Sequence, residues 1–449
     1  MAQPDVKGKR ITILGAARSG LAAARLLGNQ GAQVFVSDSA PEDKKQNEVA
    51  ALRRSGIDYE FGQHSERAFA ADLMILSPGI PVQSYVVQRF IKSGTPVYSE
   101  IEMAAQFCRS PFIAVTGSNG KTTTTTLIGE MLKKQFPRAF MAGNIGTAFS
   151  EYALASTPDS YGVVEVSSFQ LETIDRFHPH QAVALNFAPN HLDRYPSYDD
   201  YLKAKWRITK NLGKGDRLIY NASDELLSQW AARCPAQQIG FDIRGRKQFA
   251  AIYDGQAIFL EGEKIIEVSA MPLRGEHNYM NAMAAGLAAL GAGVPQAAIH
   301  EVLATFKGVE HRLEFVAEIA GVKYINDSKA TTVESLAVAL KSFTEPIILI
   351  AGGKDKGSDF TTLNNLLRER AKEIILIGKA TEKMSAAWQG VKPIYCAGSL
   401  QDAVNRAEHS AVAGDVVLLS PACASYDMFI DFEDRGRQFK NLVNQLQVN

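Results

Sequence analysis

A surplus of charge of either sign is the first thing this 449-residue chain lacks: Lys plus Arg and Asp plus Glu each total 48, and the formal net charge is zero. Without a global field of one sign, neither a nucleic-acid partner nor an anionic membrane surface is expected. Cysteine is scarce as well. Cys108, Cys234, Cys396 and Cys423 are far apart in the sequence and form no metal-type or disulfide-rich spacing, so they read as reduced thiols of a cytoplasmic protein. Long hydrophobic runs are missing too. The longest apolar helix candidate, Ala282 to Ile299, contains Gly286, Gly291, Gly293 and Pro295 and falls short of a bilayer span. The start, "KGKR" before "ITILGAA", faintly resembles a signal peptide, but Arg18 interrupts the apolar run and the segment reads as a first strand. Internal repeats and low-complexity linkers are absent apart from a threonine run. A soluble protein of roughly three domains is the expectation at this length.

What is present is alternation. From Arg10 to Tyr98 short apolar runs ("ITIL", "QVFVSD", "DLMILSPG", "PVYS") alternate with helical stretches such as "GLAAARLLGNQGA", which implies a parallel sheet. A second series starts at "FIAVTG" and passes through "GVVEVSS", "AVALNF" and "RLIYNAS". Its later part, "QFAAIYDGQAIFLEGEKIIEVS", alternates in short pieces and reads as hairpins before the helix "NYMNAMAAGLAALGAG". A third series, "VKYINDS", "PIILIAGG", "EIILIGK", "PIYCAG" and "DVVLLSPAC", fills the rest. The expected fold class is therefore α/β in three domains, at 1–100, 101–308 and 309–449: a Rossmann-like first domain, a central P-loop domain and a Rossmann-like third.

Two glycine-rich turns follow strands. "GAARSG", Gly15 to Gly20, with Asp38 closing the next strand, resembles a dinucleotide fingerprint, although Ala17 stands at the middle glycine. It supports a diphosphate ligand better than it supports NAD; a plain strand-turn-helix is the alternative. "SPGI", Ser77 to Ile80, can close the same crevice or merely end its strand. The second turn, "TGSNGKT", is a phosphate loop shorter than the common form, since Val115 stands where that form has its first glycine. Gly117 and Gly120 permit close backbone approach around Ser118 and Asn119, Lys121 can reach outer phosphates, and Thr122 is placed as a magnesium ligand. Thr123 can also touch phosphate, while Thr124 to Thr126 read as ordinary helix positions. Glu165, ending the strand in "VVEVSSFQLE", suits magnesium, with a solvated strand-end carboxylate as the alternative. His191 in "NHLDRYP" is a metal ligand, an orienting donor or a structural histidine. Lys205, taken by itself, is a surface lysine on an amphipathic helix.

Taken in order, "TGSNGKT", "EVSSFQLE", "NHLDRYP" with "YLKAK", "GEHNYMNAMAA", "HRLE", "INDSKAT" and "LLSPACASYDMF" resemble the Mur ligases over nearly the whole chain. These are ATP-dependent enzymes that add amino acids to a UDP-linked muramoyl precursor of peptidoglycan. "SSFQLE" and "SPACASYDMF" are similar to the D-glutamate-adding branch, and no "DNPR" motif of the diaminopimelate- or lysine-adding branch is found. The resemblance implies ATP contacts from Gly117 to Thr123 and at Asn278, Arg312, Asp327 and Lys329, with Asn281 and His311 nearby. It implies a pair of magnesium sites using Thr122, Glu165, His191 and a carbamylated Lys205. Lys121, His191 and Lys205 would be catalytic. Gly15, Ala16, Ser19, Asp38, Ser77, Gly79 and Asn144 would hold the UDP substrate, UDP-N-acetylmuramoyl-L-alanine. Thr331, Lys356, Ser425 and Phe432 would hold D-glutamate, with Lys354 the rival to Lys356. Ser39 and Ala40 depart from the threonine-arginine pair of some members. A monomer is expected. The rival readings are a folylpolyglutamate synthase-like ligase, which lacks the UDP-binding first domain; a nicotinamide-binding protein fused to an ATPase, for which no hydride-transfer acid is recognisable; and a P-loop regulatory switch.

Overall fold

The structure, a computed structural model, describes residues 3–188, 194–355 and 357–446. Two compact units divide the chain, 1–306 and 307–449. The first unit holds two sheets.

The first sheet is β1 (Arg10–Leu14), β2 (Gln33–Asp38), β3 (Asp58–Phe61), β4 (Leu73–Leu76) and β5 (Val97–Ser99). All pairings are parallel, in the order β3-β2-β1-β4-β5. Strands covered by helices on both faces need apolar side chains in succession rather than alternation, and "ITIL" and "LMIL" are buried at every position. The order reverses between β1 and β4, which opens a crevice at their carboxyl ends. "GAARSG" and "SPGI" both fall there.

The second sheet comprises β6 (Phe112–Thr116), β7 (Phe140–Gly143), β8 (Gly162–Glu165), β9 (Gln181–Ala184), β10 (Arg217–Asn221), β11 (Gln237–Asp242), β12 (Ala251–Tyr253), β13 (Ala257–Leu260) and β14 (Glu263–Glu267). Its order is β14-β13-β12-β11-β10-β9-β6-β8-β7. The strands from β6 to β12 pair in parallel, whereas β12, β13 and β14 form an antiparallel meander, as the short alternating pieces of sequence lead one to expect. Strand β6 is buried throughout and lies between β8 and β9, so the loop that follows it opens at this sheet's own switch point.

Two buried acids tie the sheets of this unit together. They lie on the helix Glu100–Phe107, which follows β5 directly. Glu102 accepts the N–H groups of Asp175, Arg176 and Phe177 at 2.8–2.9 Å, and Glu100 accepts that of Ser150 at 2.6 Å. Three backbone donors compensate for the burial of Glu102, whereas Glu100 has one among the described residues and burial raises its pKa.

The second unit has one sheet: β15 (Glu314–Ile319), β16 (Val322–Asn326), β17 (Ile347–Gly352), β18 (Ala371–Ile377), β19 (Ile394–Cys396) and β20 (Val416–Leu419), in the order β15-β16-β20-β17-β18-β19. Only β15 runs antiparallel. Among the described residues no helix is long and apolar enough to cross a membrane.

Candidate active site

The phosphate loop takes the shape that its glycines require. Gly117 (φ +158°) and Gly120 (φ +82°) have backbone angles that side-chain-bearing residues rarely adopt, and a Cβ on Gly120 would stand 2.3 Å from Asn281 Oδ1. Gly120 precedes the helix Lys121–Gln135, whose first N–H groups are left for an anion. A second segment, after β9, braces the loop. Asn119 N–H donates to Asn186 Oδ1 at 2.9 Å, Asn186 Nδ2 donates back to the Asn119 carbonyl at 3.0 Å, and Ser118 N–H donates to the Asn186 carbonyl at 2.9 Å. The Ser118 hydroxyl lies 2.9 Å from the Tyr201 hydroxyl. Asn186 and Tyr201 were not singled out from the sequence; a buried bracing role leaves no motif of its own.

Lysine nitrogens converge on this loop. Lys121 Nζ donates to the carbonyls of Gly117 (2.8 Å) and Ser118 (3.1 Å), and Lys205 Nζ donates to the same Gly117 carbonyl at 2.8 Å. Lys205 is only 2% exposed, on the helix Tyr198–Trp206 and over the Tyr201 ring. The reading of it as a surface lysine is therefore corrected. Burial first, and the charge of Lys121 second, push its pKa well below the usual lysine value, with Glu165 opposing.

Glu165 itself is buried. Its Oε1 accepts from Asn144 Nδ2 at 2.8 Å, while Oε2 is enclosed with no donor among the described residues. An anionic oxygen left free inside the protein is an unstable arrangement unless a cation meets it, so this donor suits a hard cation beside the phosphate loop. Thr122 is buried at the first turn of the loop's helix. Asn144, which the family resemblance counts with the UDP substrate, is hydrogen-bonded to Glu165 here. Asn281 joins this group by accepting from Thr124 Oγ1 at 3.3 Å and donating to Asn278 Oδ1 at 3.4 Å. His191 lies outside the described residues.

In the crevice of the first sheet, Ser77 Oγ donates to the Gly15 carbonyl at 3.0 Å and Ala16 N–H donates to Asp38 Oδ2 at 2.7 Å. The other oxygen of Asp38 accepts from Ala40 N–H at 2.8 Å. Asp38 therefore holds two turns in place. Ser19 sits in the first turn of the helix Arg18–Asn29, and Gly79 is exposed at the mouth of the crevice.

In the second unit, His311 is buried at φ +64° with its ring 6.3 Å from that of Phe432, and its carbonyl accepts from Lys329 N–H at 3.0 Å. Arg312 follows it directly. Asp327 is buried between Ser420 Oγ (2.8 Å) and Leu313 N–H (3.2 Å), and that burial pushes its carboxyl up to about 7. Thr331 N–H donates to the Lys329 carbonyl at 2.9 Å. Lys354 exchanges two backbone hydrogen bonds with Ala424, which brings it beside Ser425. Lys356 lies outside the described residues. A residue absent from the sequence reading is Arg435: fully buried, it donates to the Ser328 hydroxyl (2.9 Å) and carbonyl (2.8 Å) and to the Cys423 carbonyl (3.3 Å). It locks the loops after β16 and β20 to the helix Phe432–Leu446.

A short phosphate loop ending a central parallel strand, with a half-buried lysine, a buried lysine and a buried acid around it, defines a nucleoside-triphosphate-using enzyme. Family models match along the chain: a Mur ligase MurD-like N-terminal domain at 9–99, a Mur ligase middle domain at 115–289 and a Mur ligase glutamate ligase domain at 311–423. The chain is 44% identical over 447 residues to the UDP-N-acetylmuramoylalanine--D-glutamate ligase of Koribacter versatilis, covering 98% of each, and 42% identical over 462 residues to that of Salinibacter ruber, covering 99% of this chain and all of the relative. Among solved structures, the UDP-N-acetylmuramate-alanine ligase MurC of Thermotoga maritima superposes with a TM-score of 0.62 at 20% identity, over 98% of this chain and 99% of that one. MurF ligase from Thermotoga maritima, in complex with ADP, gives 0.60 at 16% identity, over 92% and 95%. These last likenesses establish the fold. The chain belongs to the Mur ligase family.

Proposed function

We propose that this chain joins D-glutamate to UDP-N-acetylmuramoyl-L-alanine at the expense of ATP, in the cytoplasmic synthesis of peptidoglycan precursor. Near-full-length identity with ligases of that name supports the choice of substrates. The observation that carries the chemistry is the convergence of Lys121 and Lys205 on the Gly117 carbonyl, beside a Glu165 oxygen with no donor among the described residues.

A carboxylate is a poor acyl donor, because its anionic oxygens deter attack at carbon and oxide is a poor leaving group. In the proposed reaction the alanine carboxylate attacks the γ-phosphorus, forming an acyl phosphate and releasing ADP. The D-glutamate amine then attacks the acyl carbon, inorganic phosphate leaves, and the amine gives up a proton. Gly117 to Thr123 cradle the phosphates, and Lys121 places positive charge where the transferring phosphoryl group gathers negative charge. Asn278, Arg312, Asp327 and Lys329 complete the ATP contacts. Magnesium would be held by Thr122 and Glu165, with His191 and a carbamylated Lys205 at a second site, and would supply charge neutralisation when bound. Asn144 orients Glu165. Gly15, Ala16, Ser19, Asp38, Ser77 and Gly79 hold or shape the UDP site. Thr331, Lys356, Ser425 and Phe432 take D-glutamate, whose two carboxylates need a cation and neutral donors once water is removed.

The test is phosphate release from ATP. It should require UDP-N-acetylmuramoyl-L-alanine and D-glutamate together. Equal release with another amino acid, or with neither acceptor, would overturn the reading.

A further inference from the structure

Arg194 follows the segment "NHLD" and belongs to the chain of the second sheet, yet its guanidinium reaches the first. Nη1 donates to the Pro78 carbonyl at 2.7 Å and Nη2 to the Ile80 carbonyl at 3.1 Å. Both acceptors lie in the loop after β4. The plane of the guanidinium also covers the Phe169 ring, with Cζ 3.8 Å from its centroid, and Phe169 belongs to "SSFQLE", just after Glu165. One side chain therefore ties the loop at the UDP crevice to the segment that carries the acid of the phosphate site.

The bonded carbonyls flank Gly79. In a trans peptide the C=O and the following N–H point in opposite directions. Fixing the Pro78 carbonyl on Arg194 therefore aims the Gly79 N–H the other way. No described residue accepts from that N–H, and Gly79 is exposed. The Ser77 carbonyl accepts from Ile80 N–H at 3.0 Å and closes the turn, while Ser77 Oγ holds the Gly15 carbonyl of the facing loop. A planar, two-pronged donor fixes the orientation of such a turn, and a lysine, a point donor, cannot.

We propose that Arg194 is a positioning residue for the UDP substrate: it holds the Pro78–Ile80 turn so that the Gly79 N–H points at the diphosphate, and it keeps that turn in register with the phosphate-loop side of the unit. This rests on the reading of the first sheet's crevice as the UDP site. Arg194 touches no reacting atom in this scheme. Its loss is read in the UDP substrate and not in ATP.

The experiment compares Arg194→Ala and Arg194→Lys with the parent enzyme. UDP binding is measured by calorimetry, and KM is measured separately for UDP-N-acetylmuramoyl-L-alanine and ATP. Both variants should weaken UDP binding and raise the KM of the UDP substrate about tenfold, the scale set by losing hydrogen bonds from a charged donor. KM for ATP should stay within about twofold, and added guanidinium ion should partly restore the alanine variant. If the parent binds no UDP, the site reading falls and the proposal with it. Where the parent binds UDP and both variants bind it equally well, the site reading stands and the role of Arg194 is overturned. Equal rises in both KM values, or a lowered melting temperature with unchanged KM, would mark a merely structural arginine and also overturn it.

Discussion

A lysine ammonium has three N–H donors, and Lys205, 2% exposed, gives them a single described acceptor, the Gly117 carbonyl. Leaving a buried charge so poorly paired is costly, and the proximity of Lys121 adds repulsion, so the pKa falls well below the usual lysine value and the balance shifts toward the neutral amine. A neutral amine is also the form that attacks CO2: the nitrogen lone pair bonds to carbon, one proton leaves, and the product is an anionic carbamate. That change replaces a repelled cation by oxygen donors of the kind a hard cation takes. Labelled bicarbonate should therefore give a carbamate carbon signal in the parent enzyme that vanishes in Lys205→Ala. The variant should lose activity by a hundredfold or more, on the order of 3 kcal/mol for an electrostatic partner at the phosphoryl group, and a short carboxylic acid should restore part of it. A fully active Lys205→Ala with no carbamate signal in the parent would leave Lys205 as a loop brace. Spacing and resemblance pointed different ways in the sequence. A lysine in "YDDYLKAKWRI" has the spacing of a solvated helix face, the family resemblance implied a carbamylated metal-site lysine, and the packing of Tyr201 and the phosphate loop shows that it is buried.

Among the elements, the turns at strand ends were the most legible, because each needs residues that few other sequences supply. "TGSNGKT" demands glycine at Gly117 and Gly120 for backbone angles alone, and "GAARSG" ends in Gly20 for closeness: a Cβ there would lie 1.9 Å from the Gly15 carbonyl oxygen. The meander β12–β14 was legible from its short alternation, and the parallel strands from their unbroken apolar runs. Roles that depend on where a polar side chain ends up were not. Asp38 fits a ribose-binding acid by position, and its oxygens also accept from Ala16 and Ala40 N–H groups, a bracing role that position does not reveal. Arg435 sits among charged residues in "FEDRGRQF", where nothing in the pattern marks it, although it is buried against Ser328 and Cys423. The close approach at Gly20 leads to an element-level expectation. Gly20→Ala must move the helix Arg18–Asn29 off the β1 turn, so it should cost about 1–3 kcal/mol, as overpacking of a tight interior typically does. Urea unfolding measures the stability, and steady-state kinetics should show a higher KM for the UDP substrate with an unchanged KM for ATP. A stable variant with parental kinetics would mean that the helix end is not fixed against the turn.

At the scale of the whole molecule, zero formal charge and two compact units make pH a sharper probe than salt, because few long-range terms compete with individual buried groups. Asp327 dominates the second unit in this respect. Burial pushes its folded carboxyl up to about 7, partly offset by Ser420 and the Leu313 N–H, whereas an unfolded aspartate titrates near about 3.9. The folded-state value is the higher one. Its contribution is therefore fully present below pH of about 3.9 and is lost progressively as the pH rises to about 7, where folding has to hold a buried carboxylate. Integrated over that window, the loss is on the order of 3 to 4 kcal/mol. Glu345 acts in the opposite sense. A hydrogen bond from Lys323 lowers it to about 2, so its contribution is present above about 4.3 and is lost as the pH falls toward about 2. These two groups together favour moderate acid, against His311, whose burial lowers its pKa and disfavours folding as the pH falls below the usual histidine range. Asp327→Asn keeps the size and an acceptor for the Ser420 hydroxyl while removing the titration. Denaturant unfolding of the full chain at a series of pH values should then show the stability of the parent relative to the variant falling from about pH 4 to about 7 in the transition of the second unit. Parallel curves for the two proteins would mean that Asp327 does not carry a raised pKa, and that the arginines nearby, Arg312 and Arg435, keep it ionised in spite of its burial.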